Sequence, residues 1–188
     1  MRKFSLSFAS IALVFLASIS HAQQYTLEAG HTAVTFQISH LGLSWTAGRF
    51  NKVEGEVSID KAAPEKSTFS LTIAADSIDT GNEKRDEHLR SPDFFDVKQF
   101  PSITFASTNV APIENGYEVT GDLTMHGETN QVTFKLLGGA VKEMPPGTIR
   151  TGFTTNLVIK RLDFGVGSEN PALGNDVHTM ISFEAIRK

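Results

Sequence analysis

Residues 30–60 read GHTAVTFQISHLGLSWTAGRFNKVEGEVSID. Val34, Phe36 and Ile38 alternate with Thr35, Gln37 and Ser39; further on, Val53, Gly55, Val57 and Ile59 alternate with Glu54, Glu56, Ser58 and Asp60. A period of two marks strands with one buried and one solvated face, because successive side chains point to opposite sides of the pleat. A Gly-rich connection separates the runs, so the stretch predicts a hairpin with an aliphatic dry face and an acidic wet face. It argues against a pair of helices and sets how the later runs are read.

The same alternation continues outward. Residues 25–29 form a short possible strand, and Phe69, Leu71 and Ile73 alternate with Ser70, Thr72 and Ala74 after turn signals at Asp60-Lys61 and Pro64-Glu65-Lys66. The period then breaks. Thr80 followed three residues later by Glu83 reads as a capping box, and residues 82–90 suit about two turns of helix before Ser91-Pro92 stops it. Leu89 is the only large apolar residue there, so the helix is expected across a rim rather than in the core. Ile103, Phe105 and Ser107 resume the strand pattern. Asn115-Gly116 signals a hairpin, after which Tyr117, Val119, Gly121, Leu123 and Met125 share a face. His126-Gly127 makes a further turn, and Val132, Phe134 and Leu136 point inward. Gly138-Gly139 and Pro145-Pro146-Gly147 punctuate the next connection. Phe153, Thr155, Leu157 and Ile159 line a seventh strand; after a loop over 163–175, Val177, Thr179, Ile181, Phe183 and Ala185 line an eighth.

About eight antiparallel strands in sequential order, with one polar helix, fit a two-sheet sandwich or a closed up-and-down barrel. The meander favours closure, which also leaves no exposed edge. The expected fold is therefore an all-β, eight-stranded, lipocalin-like barrel with a short helix at its rim. Such a barrel is either filled by its own side chains or able to hold one small ligand. Gly55, Gly121, Ser107 and Thr155 among the inward aromatic and aliphatic residues suggest open space, the alternative being that neighbouring Phe rings fill it.

The first 22 of 188 residues stand apart. Arg2 and Lys3 precede an apolar run over residues 8–19, and Ser20-His21-Ala22 offers small residues where a signal peptidase reads. The run is too short to span a bilayer. Cleavage after Ala22 and export are expected, leaving residues 23–188 as one soluble domain. The sequence has 17 Lys and Arg against 21 Asp and Glu, and without Arg2 and Lys3 the balance is 15 against 21. That acidic surplus argues against nucleic acid or an anionic membrane as partner. There is no Cys, hence neither a disulfide nor a lipidation site of that kind. Of the 14 Phe, those beyond residue 22 must build the core.

Several local patterns, taken together, resemble the YceI-like family of exported, lipocalin-like proteins. They are Gly30-His31-Thr32 with Phe36, Ile38 and His40; Gly48-Arg49-Phe50; Asn82, Arg85-Asp86 and His88-Leu89; and Phe95-Asp96. Further along come Phe100-Pro101-Ser102-Ile103-Thr104-Phe105, Gly121-Asp122-Leu123-Thr124-Met125-His126-Gly127 and Arg161-Leu162-Asp163-Phe164-Gly165. The departures are Ile38 where Val is common and Thr32 where Ser is common. The resemblance implies a periplasmic barrel whose apolar pore takes a polyisoprenoid, an isoprenoid quinone or its prenyl precursor, or a fatty amide, without covalent chemistry.

Residue chemistry supports the same ligand class. Phe, unlike Tyr or Trp, brings no polar atom into a lumen, which suits an apolar guest. Burying ten methylenes at ~0.8 kcal/mol each contributes ~8 kcal/mol before entropy losses, roughly micromolar binding. The candidate pore residues are Phe36, Ile38, Val57, Phe69, Leu71, Ile73, Phe105, Tyr117, Val119, Leu123, Phe134, Phe153, Leu157, Ile181 and Phe183, against the alternative that some are packed core or dimer contacts. His31, His40, Arg85, His88, Arg161 and Asp163 are candidates for a head group at the mouth, the alternative being rim ion pairs with Asp86 or Asp163. No His stands at metal-ligand spacing, so no metal site is expected. Asp163-Phe164-Gly165 matches the kinase triplet in letters alone, and no nucleophile motif or acid pair points to an enzyme. The expected function is carriage or shielding of a long-chain isoprenoid or similar lipid in the periplasm. A stress-protective or protein-interaction module with a packed lumen, and a lumen-based lipid-modifying enzyme, remain as alternatives. Association into a homodimer stays open.

Overall fold

The computed structural model describes residues 22–145 and 147–187. The expected signal segment, apart from Ala22, lies outside them. In chain order the strands are β1 (Gln23–Leu27), β2 (Ala33–His40), β3 (Ser44–Phe50), β4 (Val53–Ile59), β5 (Thr68–Ala74) and β6 (Ile78–Asp79). After helix α1 (Glu83–Arg90) come β7 (Ser102–Ile113), β8 (Gly116–Met125), β9 (Glu128–Met144), β10 (Thr148–Lys160) and β11 (Leu173–Arg187).

Pairing turns these pieces into eight strand positions. β1 and β2 lie end to end along β11, with Leu27 opposite Ala185 and Val34 opposite Ile181. β4 and β3 form the next position, on β1 and β2 respectively. β5 pairs with β4 and the short β6 with β3. From there β7, β8, β9, β10 and β11 follow in sequence, and β11 returning to β1 and β2 closes the barrel. Closure pairs most strand edges within the chain, although β6 meets only β3 and β10 leaves its ladder with β9 after Thr154. The expected architecture is thus the observed one.

Four local expectations are corrected. Val34–Ser39 does not pair with the run 53–59: its partner is β3, with Phe36 opposite Gly48, while Val57 faces Tyr25 of β1. The turn of this hairpin is Leu41-Gly42-Leu43, and most of the supposed Gly-rich connection is itself a strand. Second, the wet face of β4 is not uniformly wet. Ser58 and Asp60 are buried, because Gln24 donates to Ser58 Oγ and the 62–67 loop folds over Asp60, whose carboxylate accepts from the Ala62 and Ala63 N–H groups. Third, Gly138 and Gly139 do not end a strand. Both take positive φ inside β9, which runs on to Met144 and shifts register against β10 near Gly152. Fourth, the helix is capped by Asn82, whose Oδ1 accepts from Arg85 N. Thr80 instead binds Asp86 Oδ1 through its N–H and its hydroxyl, at 2.9 and 2.5 Å.

The inward faces make one core. At one end of the barrel Tyr25, Val57, Val119, Leu136, Phe153 and Ala185 are at most 3% exposed. Phe153 stands edge-on to Phe69 at 5.6 Å between ring centroids and beside Phe183 at 5.6 Å, with Tyr117 completing the plug at 5.5 Å from Phe69. Offset and edge-on rings of this kind add to the stabilisation already gained by burying the apolar area. At the other end α1 and the segment after it lie across the opening.

Candidate functional site

Between that plug and α1 the barrel encloses a cavity of about 410 Å³, within the range of pockets that hold small organic ligands. Its wall is built by alternation: Val34, Phe36 and Ile38 from β2, Phe69, Leu71 and Ile73 from β5, Ile103 and Phe105 from β7, Val132, Phe134 and Leu136 from β9, Leu157 and Ile159 from β10, and Ile181 and Phe183 from β11. Leu89, Phe94 and Phe95 contribute from α1 and the residues following it. The lining contains four ionisable side chains, His40, Arg85, His88 and Arg161. The first three are exposed, which places the mouth at the α1 end, between the helix and the β2–β3 turn.

Three of the four basic side chains of this lining, Arg85, His88 and Arg161, are tied into the fold. Arg85 donates from Nε to Thr80 Oγ1 and from Nη2 to the Thr80 carbonyl, locking the helix start to the strand before it. His88 meets Asp93 at 3.1 Å and stands edge-on to Phe94 at 5.0 Å. Arg161 is buried and donates to the carbonyls of Gly174, Val166 and Ser168 at 2.9, 2.9 and 3.0 Å, so it organises the loop leading into β11. Burial lowers the pKa of its guanidinium, which still remains cationic at neutral pH.

Of the expected pore residues, Phe36, Ile38, Val57, Phe69, Leu71, Ile73, Phe105, Leu123, Phe134, Leu157, Ile181 and Phe183 face the cavity. Tyr117, Val119 and Phe153 do not: they lie deeper, in the plug. Among the expected mouth residues, His40, Arg85, His88 and Arg161 are brought together, and two are not. His31 lies on the outside near the β1–β2 break, its Nδ1 against the Glu28 carboxylate. Asp163 is exposed, and its carbonyl accepts from the Asn130 amide. Leu89, Phe94 and Phe95 were not expected in the lining. The pair of adjacent Phe residues beside a lone helical Leu is the signal that could have found them. Among the described residues no group of three or more His, Cys, Asp or Glu is placed to hold a metal ion.

The small inward residues divide. Gly48 and Gly121 lie under the rings of Phe36 and Phe105, and Gly55 lies against Leu27 and the Ser70 carbonyl. Ser107 Oγ accepts from the Phe69 N–H. Thr155 faces the cavity.

The YceI-like domain, as a sequence family, matches residues 25–185, nearly the whole described chain. The chain belongs to the YceI-like family. A UPF0312 protein of Yersinia enterocolitica is 36% identical over 178 residues, covering 94% of this chain and 93% of its own. Among solved structures, BcnA of Burkholderia cenocepacia superposes with a TM-score of 0.73 at 27% identity, over 86% of this chain and 99% of its own. A polyisoprenoid-binding domain from Saccharophagus degradans superposes with a TM-score of 0.64 over 87% of this chain and 98% of its own; at 18% identity that likeness is one of fold. The YceI-like match spans every strand that lines the cavity.

Proposed function

We propose that this YceI-like barrel binds a long-chain isoprenoid or similar amphiphile non-covalently, and shields or carries it in the periplasm after removal of residues 1–22. The observation that carries the reading is the cavity itself: about 410 Å³ walled by aliphatic and Phe side chains, closed at one end and open beside α1. A lumen filled by its own side chains, as a purely structural module would have, leaves no such volume. The description of the Saccharophagus degradans domain as polyisoprenoid-binding supports the ligand class. Among the described residues the lining holds no Asp or Glu, and the cationic groups Arg85 and Arg161 are spent on backbone and hydroxyl partners, which favours holding a guest over transforming it. Calorimetric titration with a polyprenyl alcohol tests the proposal. Saturable binding with a negative heat-capacity change, the mark of apolar burial, is the expected result; no uptake of prenyl alcohols, quinones or fatty amides overturns it.

A further inference from the structure

Thr155 sits on β10 between Phe153 of the plug and Leu157 of the wall, opposite Ile181 of β11. It is 3% exposed and lines the cavity. Its Oγ1 is the one buried side-chain nitrogen or oxygen among the described residues that meets no hydrogen-bond partner in the protein. Buried hydroxyls are ordinarily satisfied, and leaving one unpaired in apolar surroundings is costly. Other polar groups in and beside the lumen have partners in the fold: Arg161 with three carbonyls, Arg85 with Thr80, and Ser107 with the Phe69 N–H. Thr155 also begins the part of β10 that has left its ladder with β9, which ends at Thr154 opposite Leu137.

We propose that Thr155 is the hydrogen-bonding anchor for a single uncharged oxygen or amide on the lipid, which therefore enters polar end first. This rests on the lipid-binding reading and specifies the orientation and class of the guest. Thr155 and Arg161 at the mouth are six positions apart in the chain, about 20 Å if extended. The ionisable lining residues all lie toward that mouth, so a phosphate or carboxylate at the depth of Thr155 would be buried without a counter-charge. An alcohol, a ketone or quinone carbonyl, or a primary amide is compatible with the site, with its hydrocarbon tail running back to α1. A site built to hydrogen-bond an oxygen discriminates against an analogue lacking it.

The experiment measures affinity for geranylgeraniol and for the same prenyl chain with hydrogen in place of the hydroxyl, in the wild-type protein, Thr155→Val and Thr155→Ser. The wild type is expected to favour the alcohol by about tenfold, the worth of one neutral hydrogen bond. Thr155→Val is expected to bind both chains but lose the preference, and Thr155→Ser to keep it. Thr155→Val should also melt no lower than the wild type, since it removes an unpaired polar group rather than a bond. A preference that persists in Thr155→Val, or none in the wild type with both chains bound, overturns the anchor while leaving lipid binding intact. If neither chain binds any of the three proteins, the lipid-binding reading fails and the anchor with it.

Discussion

The ring of Phe36 on β2 lies over Gly48 on β3, its cross-strand neighbour, so closely that a Cβ on Gly48 would fall within 3.0 Å of three ring carbons. The glycine is there to admit the ring, and the ring is part of the cavity wall. Gly48→Ala must push Phe36 into the lumen or distort the hairpin. Overpacking of this kind costs typically ~1–3 kcal/mol. Denaturant unfolding is expected to show that loss together with weaker prenyl-alcohol binding. Unchanged stability and binding would mean the ring is free to leave.

The assignment of faces is tested by charge. Phe134 lines the cavity and Glu56 is exposed on the outer face of β4. Phe134→Glu is expected to abolish lipid binding, because a carboxylate in the lumen would be desolvated against hydrocarbon. Glu56→Lys should leave binding nearly unchanged. Equal effects would mean that inside and outside are exchanged.

Arg161 is expected to act as a structural bolt. Replacing it with Met leaves the carbonyl of Val166, whose bond is buried, and those of Gly174 and Ser168, whose bonds are part-buried, without their donor. Each unsatisfied group costs on the order of 1–3 kcal/mol, and the losses add incompletely. A loss of several kcal/mol, with increased hydrogen exchange in the loop before β11, is the expected outcome. Arg161→Lys, a point charge in place of a planar fork, should rescue it only in part. A stable variant that lost only lipid affinity would instead make Arg161 a head-group contact.

Two half-buried carboxylates, Glu28 and Asp79, are expected to make stability fall in acid. The hydrogen bond to His31 and the Gly30 N–H hold Glu28 below its ordinary 4.5, and the Gly81 N–H with the Asn51 amide holds Asp79 below 3.8. A carboxylate with a depressed folded-state pKa contributes stability that is present above its unfolded pKa and lost as pH falls through the folded one. Thermal midpoints measured from pH 7 downward should therefore decline below the ordinary carboxylate range. The Glu28→Gln, Asp79→Asn double variant should decline less steeply.

The sequence carried the barrel and most of its wall because alternation reports directly which side chains face inward: Phe36, Phe69, Phe105 and Phe134 all follow from period two. It misassigned the partner of β2 because β3 hides its pattern. The inward residues of β3 are Thr46, Gly48 and Phe50, while Trp45 on the outer side is 55% exposed, so polarity and face disagree there. Leu89 was missed because it is a lone apolar residue on a polar helix, and Phe94 and Phe95 because they meet the lumen through an irregular segment with no periodicity. Tyr117, Val119 and Phe153 share the inward face of their strands, but position along the barrel axis, which alternation does not encode, puts them in the plug. Whether a hydroxyl such as that of Thr155 is paired depends on neighbours far away in the chain.

The central claim, that the lumen is a lipid site, is tested most directly by native mass spectrometry of the protein purified from its native cells. The expected spectrum shows a discrete hydrophobic adduct that is lost on organic extraction and regained on incubation with a polyprenyl alcohol. A spectrum of the bare chain that gains no mass with any long-chain alcohol, quinone or amide would contradict it.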